Sequence, residues 1–378
     1  MVGESPEVRM HLVIDGRLWE NDSAAIVNKN VVTSLFRLGY DVRLEAWGQG
    51  SDKPHKDAFL DRDLLTTLAQ REKDYDNAVV IRQSWPVCEP YYSAACNWDR
   101  IPGKIKIGML LWESDHVPTR WLHNMASVDA ILTISLFSAD RIRKELERNY
   151  ITTPVWGVPL GVDRRLFNPT IEQWKIDAKK FRFLHVGVGQ ARKGSDLLRE
   201  AYFSEFTNQD DVSLVVKTGG WDTVDAWASP AGGPHVLAIH DDNIPETTLG
   251  GLYTACHCLV HPSRLEGFGM TMLEAMACGT LIICPEQGAH RVFAREDNAL
   301  LVHGEEEQMD FFENLVTTAY RVDVADLRRT MRDAVNEASW DDKTRTGLKT
   351  ARNFSWERTA QHLASQIEET FNVQLEGL

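Results

Sequence analysis

The sequence lacks any long hydrophobic run, and this absence limits the class of protein. No apolar stretch approaches the roughly 18 residues that a membrane-spanning helix needs. The first residues, MVGESPEVRMHLVIDG, show no basic segment followed by an apolar one, as a signal peptide would. The six cysteines form no disulfide-like framework. We therefore expect a cytoplasmic protein, and a peripheral contact with the inner face of the membrane stays open.

Positive charge is also scarce. Lysine and arginine number 41 against 55 aspartates and glutamates, which gives a net charge of −14. Because binding to nucleic acid needs a basic surface, we do not expect nucleic acid as a partner. The 378 residues suit two domains, and 43% hydrophobic content is ordinary for a folded protein. The twelve tryptophans are interpreted mainly as core residues, with stacking on sugar rings as the alternative.

Short apolar runs alternate with amphipathic stretches in the first part of the chain. A strand is predicted over residues 10–15 and a helix from Ser23 to Leu38, ending at Gly39. Further strands are predicted in DVRLEAW, NAVVIRQ, KIKIGMLLW and AILTIS. Strands that alternate with helices indicate parallel βαβ units in a doubly wound sheet.

A second α/β series follows a stretch rich in proline and glycine, residues 152–170. Its predicted strands are FRFLHVG, VSLVVK, CLVHPS and TLIICP, and its predicted helices span 194–206, 246–254 and 270–278. The predicted fold is therefore α/β, with two Rossmann-like doubly wound domains facing each other across a cleft. Ligands of such sheets bind beyond the carboxyl ends of the strands.

The segment GVGQARKGSD, residues 187–196, follows a predicted strand and nearly matches two phosphate-binding motifs. The dinucleotide fingerprint fails because Arg192 takes its last position, and the P-loop counted from Gly189 fails because Ser195 stands in place of lysine. A glycine-rich turn, Arg192 with Lys193, and a helix that opens at Gly194 remain. Together they favour a phosphate group. A surface loop with solvated charges is the alternative.

The segment HPSRLEGFGMTMLEAMACGT, residues 261–280, places Glu266 and Glu274 eight positions apart. That spacing alone carries little information, because two other glutamate pairs share it. These pairs are Glu305 with Glu313 and Glu368 with Glu376. Only Glu266 with Glu274 follows a predicted strand, encloses GFG and opens a predicted helix. There, Glu274 could accept hydrogen bonds from the vicinal hydroxyls of a ribose, and Glu266 from those of another sugar. A nucleotide-sugar site is the interpretation.

This segment resembles the E-x(7)-E signature of retaining GT-B glycosyltransferases of the family 4 type. VPLGVDRRLFNP is similar to that family's interdomain segment, HVGVGQARKGSDLLREAY to its phosphate loop, and NFSWERTAQHL to its terminal helix. The resemblance implies an N-terminal domain over 1–160, a nucleotide-sugar-binding domain over 161–350, and a C-terminal helix over 351–378 that crosses back to the first domain.

The resemblance also implies roles for individual residues. Glu274 would bind the ribose, Glu266 the hydroxyls of the donor sugar, and Lys193 the diphosphate. Val188 departs from the family, which often has arginine there; either Arg192 substitutes for that arginine or the phosphates of the donor are held more weakly. The remaining donor-binding residues would be Gly189, Gly267, Phe268, Gly269, Met270 and Thr271.

In the first domain the family has a glycine-rich loop after the first strand, where this chain has Ser23, Ala24 and Ala25. These small residues are a candidate lip for the acceptor or the diphosphate. Many members carry a histidine near the donor sugar after a middle strand. In this chain Glu113 stands nearest that position and His116 lies three residues further on, and the sequence does not choose between them.

The implied activity is that of a hexosyltransferase that uses a nucleotide-diphosphate sugar as co-substrate, with retention and with no metal or other cofactor. The acceptor stays open among a glycan, a lipid-linked sugar, a metabolite and, least favoured, a hydroxylated base in DNA. Alternatives are a sugar-nucleotide epimerase or a glycosyl phosphorylase of the same fold, and a catalytically silent sugar-nucleotide-binding partner. The oligomeric state stays open as well.

Overall fold

The computed structural model describes residues 9–20, 22–47, 60–219, 223–241, 244–337 and 339–378. The chain divides into two compact units. The first unit comprises Met1–Gly161 together with Ser355–Leu378, and the second comprises Val162–Phe354. The boundary after Gly161 falls within the proline- and glycine-rich stretch 152–170, which also contains a short strand of the first unit.

The strands lie in the following order along the chain: β1 (Arg9–Arg17), β2 (Val42–Trp47), β3 (Ala78–Gln83), β4 (Ile105–Leu110), β5 (Ala130–Thr133), β6 (Val155–Gly157), β7 (Phe181–Val186), β8 (Val212–Thr218), β9 (His235–His240), β10 (Cys258–Val260), β11 (Leu281–Pro285), β12 (Leu300–Val302), β13 (Gly304–Asp310), β14 (Val316–Val322) and β15 (Gln374–Leu375).

The α-helices are α1 (Ser23–Arg37), α2 (Arg62–Gln70), α3 (Leu122–Met125), α4 (Leu136–Arg148), α5 (Ser195–Glu205), α6 (Glu246–Thr254), α7 (Met270–Ala277), α8 (Val324–Asn336), α9 (Asp341–Ala351) and α10 (Trp356–Phe371).

In the first unit, β1 lies second from one edge of a parallel sheet. The order is β15-β1-β3-β4-β5-β6, and β2 pairs with β1 beyond the short β15. Every residue of β3, AVVIRQ, is buried, as expected for a parallel strand covered on both faces. Ser355 caps the start of α10, where its hydroxyl accepts from the Arg358 amide, and α10 packs against α1.

The second unit contains a parallel sheet in the order β12-β11-β10-β7-β8-β9. Its core joins β7, β8, β10 and β11 to α5 and α8 through large side chains such as Phe183, Tyr202 and Trp227. An antiparallel hairpin, β13-β14, adds to this unit. The predicted α/β class with two parallel, helix-covered sheets is confirmed. Among the described residues, no helix is long and apolar enough to cross a membrane.

Candidate donor site

The loop between β7 and α5 is held against the segment that precedes Glu266. The Arg192 carbonyl accepts from the Arg264 amide at 2.7 Å and from the Ser263 hydroxyl at 2.9 Å. Gly194, with φ of +69°, lies so close to the other loop that an added Cβ would stand 2.0 Å from the Pro262 carbonyl oxygen. Glycine is therefore required at this position by both conformation and space.

This docking places Lys193 and Glu266 in direct contact. The Lys193 Nζ lies 2.5 Å from Glu266 Oε1, and the same oxygen lies 2.7 Å from His261 Nε2. The Glu266 residue is 9% exposed and the His261 ring is fully buried. The hydroxyl of Thr271, at the start of α7, lies 3.5 Å from His261 Nδ1. We call Lys193, His261 and Glu266 the Lys-His-Glu cluster.

Electrostatics fix the charges of this cluster. Burial by itself would raise the pKa of Glu266, but Lys193 and the hydrogen bond from His261 outweigh it and hold that pKa well below its usual range. Burial lowers the pKa of His261 despite the opposing influence of Glu266. At neutral pH the carboxylate is ionised, and the neutral imidazole donates from Nε2 and accepts from Thr271 at Nδ1.

Glu274 lies in the first helical turns of α7 and is held by a buried tyrosine. The Tyr253 hydroxyl donates to Glu274 Oε2 at 2.7 Å. Burial and the adjacent carboxylate raise the pKa of Tyr253 well above its usual range, so the hydroxyl stays protonated and remains a donor. Sequence analysis placed Tyr253 on a helix but assigned it no role. Its partner is 21 residues away along the chain.

The turn before α7 has the backbone geometry expected of an anion-binding helix start. Gly269 has φ of +98°, and no side chain caps the helix at that residue. The Phe268 side chain, 1% exposed, packs against Phe293 and Phe354, so this predicted donor-binding residue has only its backbone to offer a ligand. Met270 is half-buried.

A residue that sequence analysis missed supports both loops. The Arg264 guanidinium donates two parallel hydrogen bonds to the Asp196 carboxylate, each of 2.7 Å, and a third of 2.7 Å to Glu307. It therefore ties the start of α5 and the hairpin strand β13 to the segment that carries Glu266. The opposite charges gave no sequence signal, because these residues lie 68 and 43 positions from Arg264.

Two other predicted donor residues lie in the loop after β7. These residues are Gly189, which is exposed, and Arg192. Immediately before Gly189 lies Val188, where the family often has arginine, and this residue is 38% exposed. The Arg192 guanidinium, the predicted substitute, donates to the Gln190 side chain at 3.1 Å. Its charge stays beside Glu266, whose pKa it helps to lower.

In the first unit, Ser23, Ala24 and Ala25 form the first turn of α1. The Asp22 carboxylate caps this helix, accepting from the Ala25 amide at 3.0 Å, and lies 2.6 Å from the Arg17 guanidinium. A carboxylate at the helix start disfavours a diphosphate there. Contact of this lip with the acceptor or with the diphosphate stays a prediction.

The alternatives Glu113 and His116 both follow β4. The His116 ring is 43% exposed and its Nδ1 lies 3.2 Å from the Glu145 carboxylate of α4. The Glu113 carbonyl accepts from Arg141 at 3.0 Å. A role for either residue near the donor sugar stays a prediction. Among the described residues, no group of three or more histidine, cysteine or acidic side chains is arranged to hold a metal ion.

Comparison with known proteins shows which family the second unit resembles. Residues 167–333 match the family model described as glycosyl transferases group 1. This segment is similar to the group 1 glycosyltransferases. It contains Lys193, Glu266 and Glu274, so the residues singled out for donor binding all lie within the glycosyltransferase segment.

Two curated relatives carry glycosyltransferase names. A D-inositol 3-phosphate glycosyltransferase of Arthrobacter is 30% identical over 215 residues, covering 53% of this chain and 47% of the relative. A lipopolysaccharide core biosynthesis mannosyltransferase of Rhizobium meliloti is 28% identical, covering 58% of this chain and 62% of the relative. The chain thus spans about half to three fifths of the length of these relatives.

A solved structure extends the likeness over the whole glycosyltransferase fold. Anabaena HepE, solved in complex with UDP and glucose, matches 96% of this chain and 100% of its own length with a TM-score of 0.60. At 12% identity this match shows the fold alone. The chain has the GT-B fold.

Proposed function

We propose that this protein transfers a hexosyl group from a nucleotide-diphosphate sugar to a hydroxyl acceptor, with retention of anomeric configuration and without a metal ion. The observation that supports this most directly is the Lys-His-Glu cluster beside the uncapped start of α7. A cation, a buried ionised carboxylate and backbone N–H groups are the groups needed to hold a diphosphate and a sugar together.

The donor's two ends would meet different residues. The ribose hydroxyls donate to Glu274, whose carboxylate is oriented by Tyr253. The diphosphate meets the N–H groups at Gly269 and Met270, together with the positive charge of Lys193. Glu266 accepts from the hydroxyls of the sugar. In this arrangement the donor draws Lys193 into contact with phosphate while His261 keeps Glu266 oriented.

The chemical step needs little from the protein beyond electrostatics. The bond between the anomeric carbon and the leaving phosphate oxygen breaks, the acceptor oxygen forms its bond on the same face, and the leaving phosphate oxygen takes the acceptor's proton. Lys193, Arg192 and the α7 N-terminus would stabilise the charge that grows on the leaving group. Preorganised donors of this kind are usually the largest catalytic contribution.

Thermal shift with uridine, guanosine and adenosine diphosphates tests donor binding. One of them, at a hundredfold excess over its dissociation constant, should stabilise the protein by about 2.7 kcal/mol. Glu274→Ala should remove most of that effect, while Tyr253→Phe, which keeps the carboxylate, should retain part of it. No stabilisation by any of the three would refute the donor site.

Activity assays test the reaction itself. Slow donor hydrolysis by purified protein would separate a transferase from a silent binding partner, and a product with a new glycosidic bond would separate it from an epimerase. Excess chelator should leave the rate unchanged because Lys193 and the helix start carry the charge. An inverted anomer by NMR of early product, or a rate restored by magnesium, would contradict this mechanism.

A further inference from the structure

Four aromatic side chains gather where strands of the first unit's sheet end. Trp47 is the last residue of β2. Trp85, Tyr91 and Tyr92 lie in the connection between β3 and β4. The Trp85 ring centroid lies 5.2 Å from that of Tyr91 and 5.9 Å from that of Tyr92, and Trp47 lies 6.0 Å from Tyr92. We call these four residues the aromatic platform. Tyr91 is 55% exposed and Tyr92 is 37% exposed.

A buried ion pair lies beneath the aromatic platform and fixes both of its sides. Arg82 donates to Asp15 Oδ2 at 2.6 and 2.8 Å, and Asp15 Oδ1 accepts from the Trp47 indole at 2.8 Å. Arg82 also donates to the carbonyls of Ala95 and Asn97, which end the loop that carries the tyrosines. Because burying an ion pair costs desolvation energy, its presence is weak grounds for a stabilising role. Its contacts show instead that it positions Trp47 and the loop that carries the two tyrosines.

Among the described residues, the rim of the aromatic platform beside Tyr92 holds one cation and two carboxylates. The Arg17 guanidinium lies 5.9 Å from the Tyr92 ring centroid and donates to the Tyr92 hydroxyl at 3.3 Å. Arg17 is also paired with Glu20 at 3.2 Å and with Asp22 at 2.6 Å. One cation beside two carboxylates offers hydroxyl groups both donors and acceptors. An anionic group is repelled by the excess charge.

Exposed aromatic faces beside a polar rim match the two-sided chemistry of a pyranose ring, which presents C–H groups on its face and hydroxyls on its edge. We propose that the aromatic platform binds a neutral pyranose ring of the acceptor. This inference rests on the proposed transferase function and deepens it. The acceptor class becomes an uncharged saccharide or glycoside end, as opposed to a phosphorylated polyol.

The test uses tryptophan fluorescence of the full chain during titration with methyl α-D-glucopyranoside, methyl α-D-mannopyranoside, methyl β-D-galactopyranoside and the corresponding disaccharides. At least one should bind saturably. Tyr91→Ala and Tyr92→Ala should each weaken that binding about tenfold, the loss expected from removing one aromatic face. Tyr150→Ala is the matched control, because Tyr150 is 94% exposed and lies on the same unit after α4.

The outcomes separate this inference from the donor site. All three tyrosine variants should keep the wild-type thermal stabilisation by the nucleoside diphosphate, which also shows that they fold. The aromatic platform would be refuted if no pyranoside bound the wild type, if Tyr91→Ala and Tyr92→Ala bound it normally, or if inositol phosphate bound more tightly than every pyranoside. If the wild type itself bound no nucleoside diphosphate, the proposed function would be refuted instead.

Discussion

The two units share an architecture, yet the helix that follows the first strand of each unit, α1 or α5, begins in a different way. In the first unit, the Asp22 carboxylate caps α1 and places negative charge at the helix start. In the second unit, α5 and α7 each begin at a glycine with positive φ, and no side chain caps either helix. Because the N–H groups of an uncapped helix start remain available to an anion, the starts of α5 and α7 support the proposal that the second unit holds the diphosphate.

The two units also differ in where their buried ion pairs lie: on neighbouring strands in the first unit and on loops in the second. Asp15 and Arg82 are partners in register on the neighbouring strands β1 and β3, so the backbone ladder holds both in place. Glu266 and Lys193 lie on two loops, which hydrogen bonds between the loops and the Arg264 side chain hold together. A pair on strands is suited to hold a surface rigid. A pair on loops can exchange one partner for a ligand.

The strongest test of this contrast is Glu266→Gln. The amide keeps the size of the side chain but cannot balance Lys193, so turnover should fall about 100- to 1,000-fold, which corresponds to about 3–4 kcal/mol. Donor hydrolysis and transfer rates measure the loss, with circular dichroism as the check on folding.

The matched control is Glu305→Gln, an exposed residue on β13 in the same unit. It should change the activation free energy by no more than about 0.5 kcal/mol, since most surface substitutions have effects of that size or smaller. Equal damage from the two variants would mean that the context of Glu266 carries no special role.

A glycine in each unit sharpens the comparison further. At Gly39, with φ of +94°, an added Cβ meets nothing within 4 Å, so Gly39→Ala should cost only the backbone penalty of about 1–2 kcal/mol. At Gly194 the Cβ would collide with the Pro262 carbonyl. Gly194→Ala should therefore lose an additional 1–3 kcal/mol, about what overpacking costs. Urea unfolding of both variants gives the difference, and equal losses would contradict the tight docking of the two loops.

The fold was largely predictable because its parallel strands are apolar runs separated by helices. The strand β13 was not predicted, since its sequence GEEEQMD is mostly charged and its strand form depends on pairing with β14. In the site, the motif and the glycine turns singled out Glu266, Glu274 and Lys193, whose roles stay predictions. Tyr253, His261 and Arg264 gained roles only through contacts between distant segments, which no local pattern encodes.

The smallest expected effect is a pH dependence that belongs to the second unit. His290 is 1% exposed, its Nε2 donates to the Pro285 carbonyl at 2.7 Å, and burial lowers its pKa from 6.5 to about 4. As the pH falls below 6.5, the unfolded chain takes up a proton that the folded imidazole refuses. Stability from this group is thus complete above pH 6.5 and is lost progressively towards pH 4.

Between pH 8 and pH 6 this linkage amounts to about 1 kcal/mol. Between these two pH values, the free energy of unfolding should fall by about 1 kcal/mol less in His290→Gln than in the wild type. His123→Gln, at an exposed position of the first unit, is the control and should leave the slope unchanged. The slope is compared, since removing the Pro285 contact lowers the absolute stability of the variant at every pH. An unaltered slope in His290→Gln, or a change of equal size in His123→Gln, would show that the pH dependence does not come from the buried imidazole.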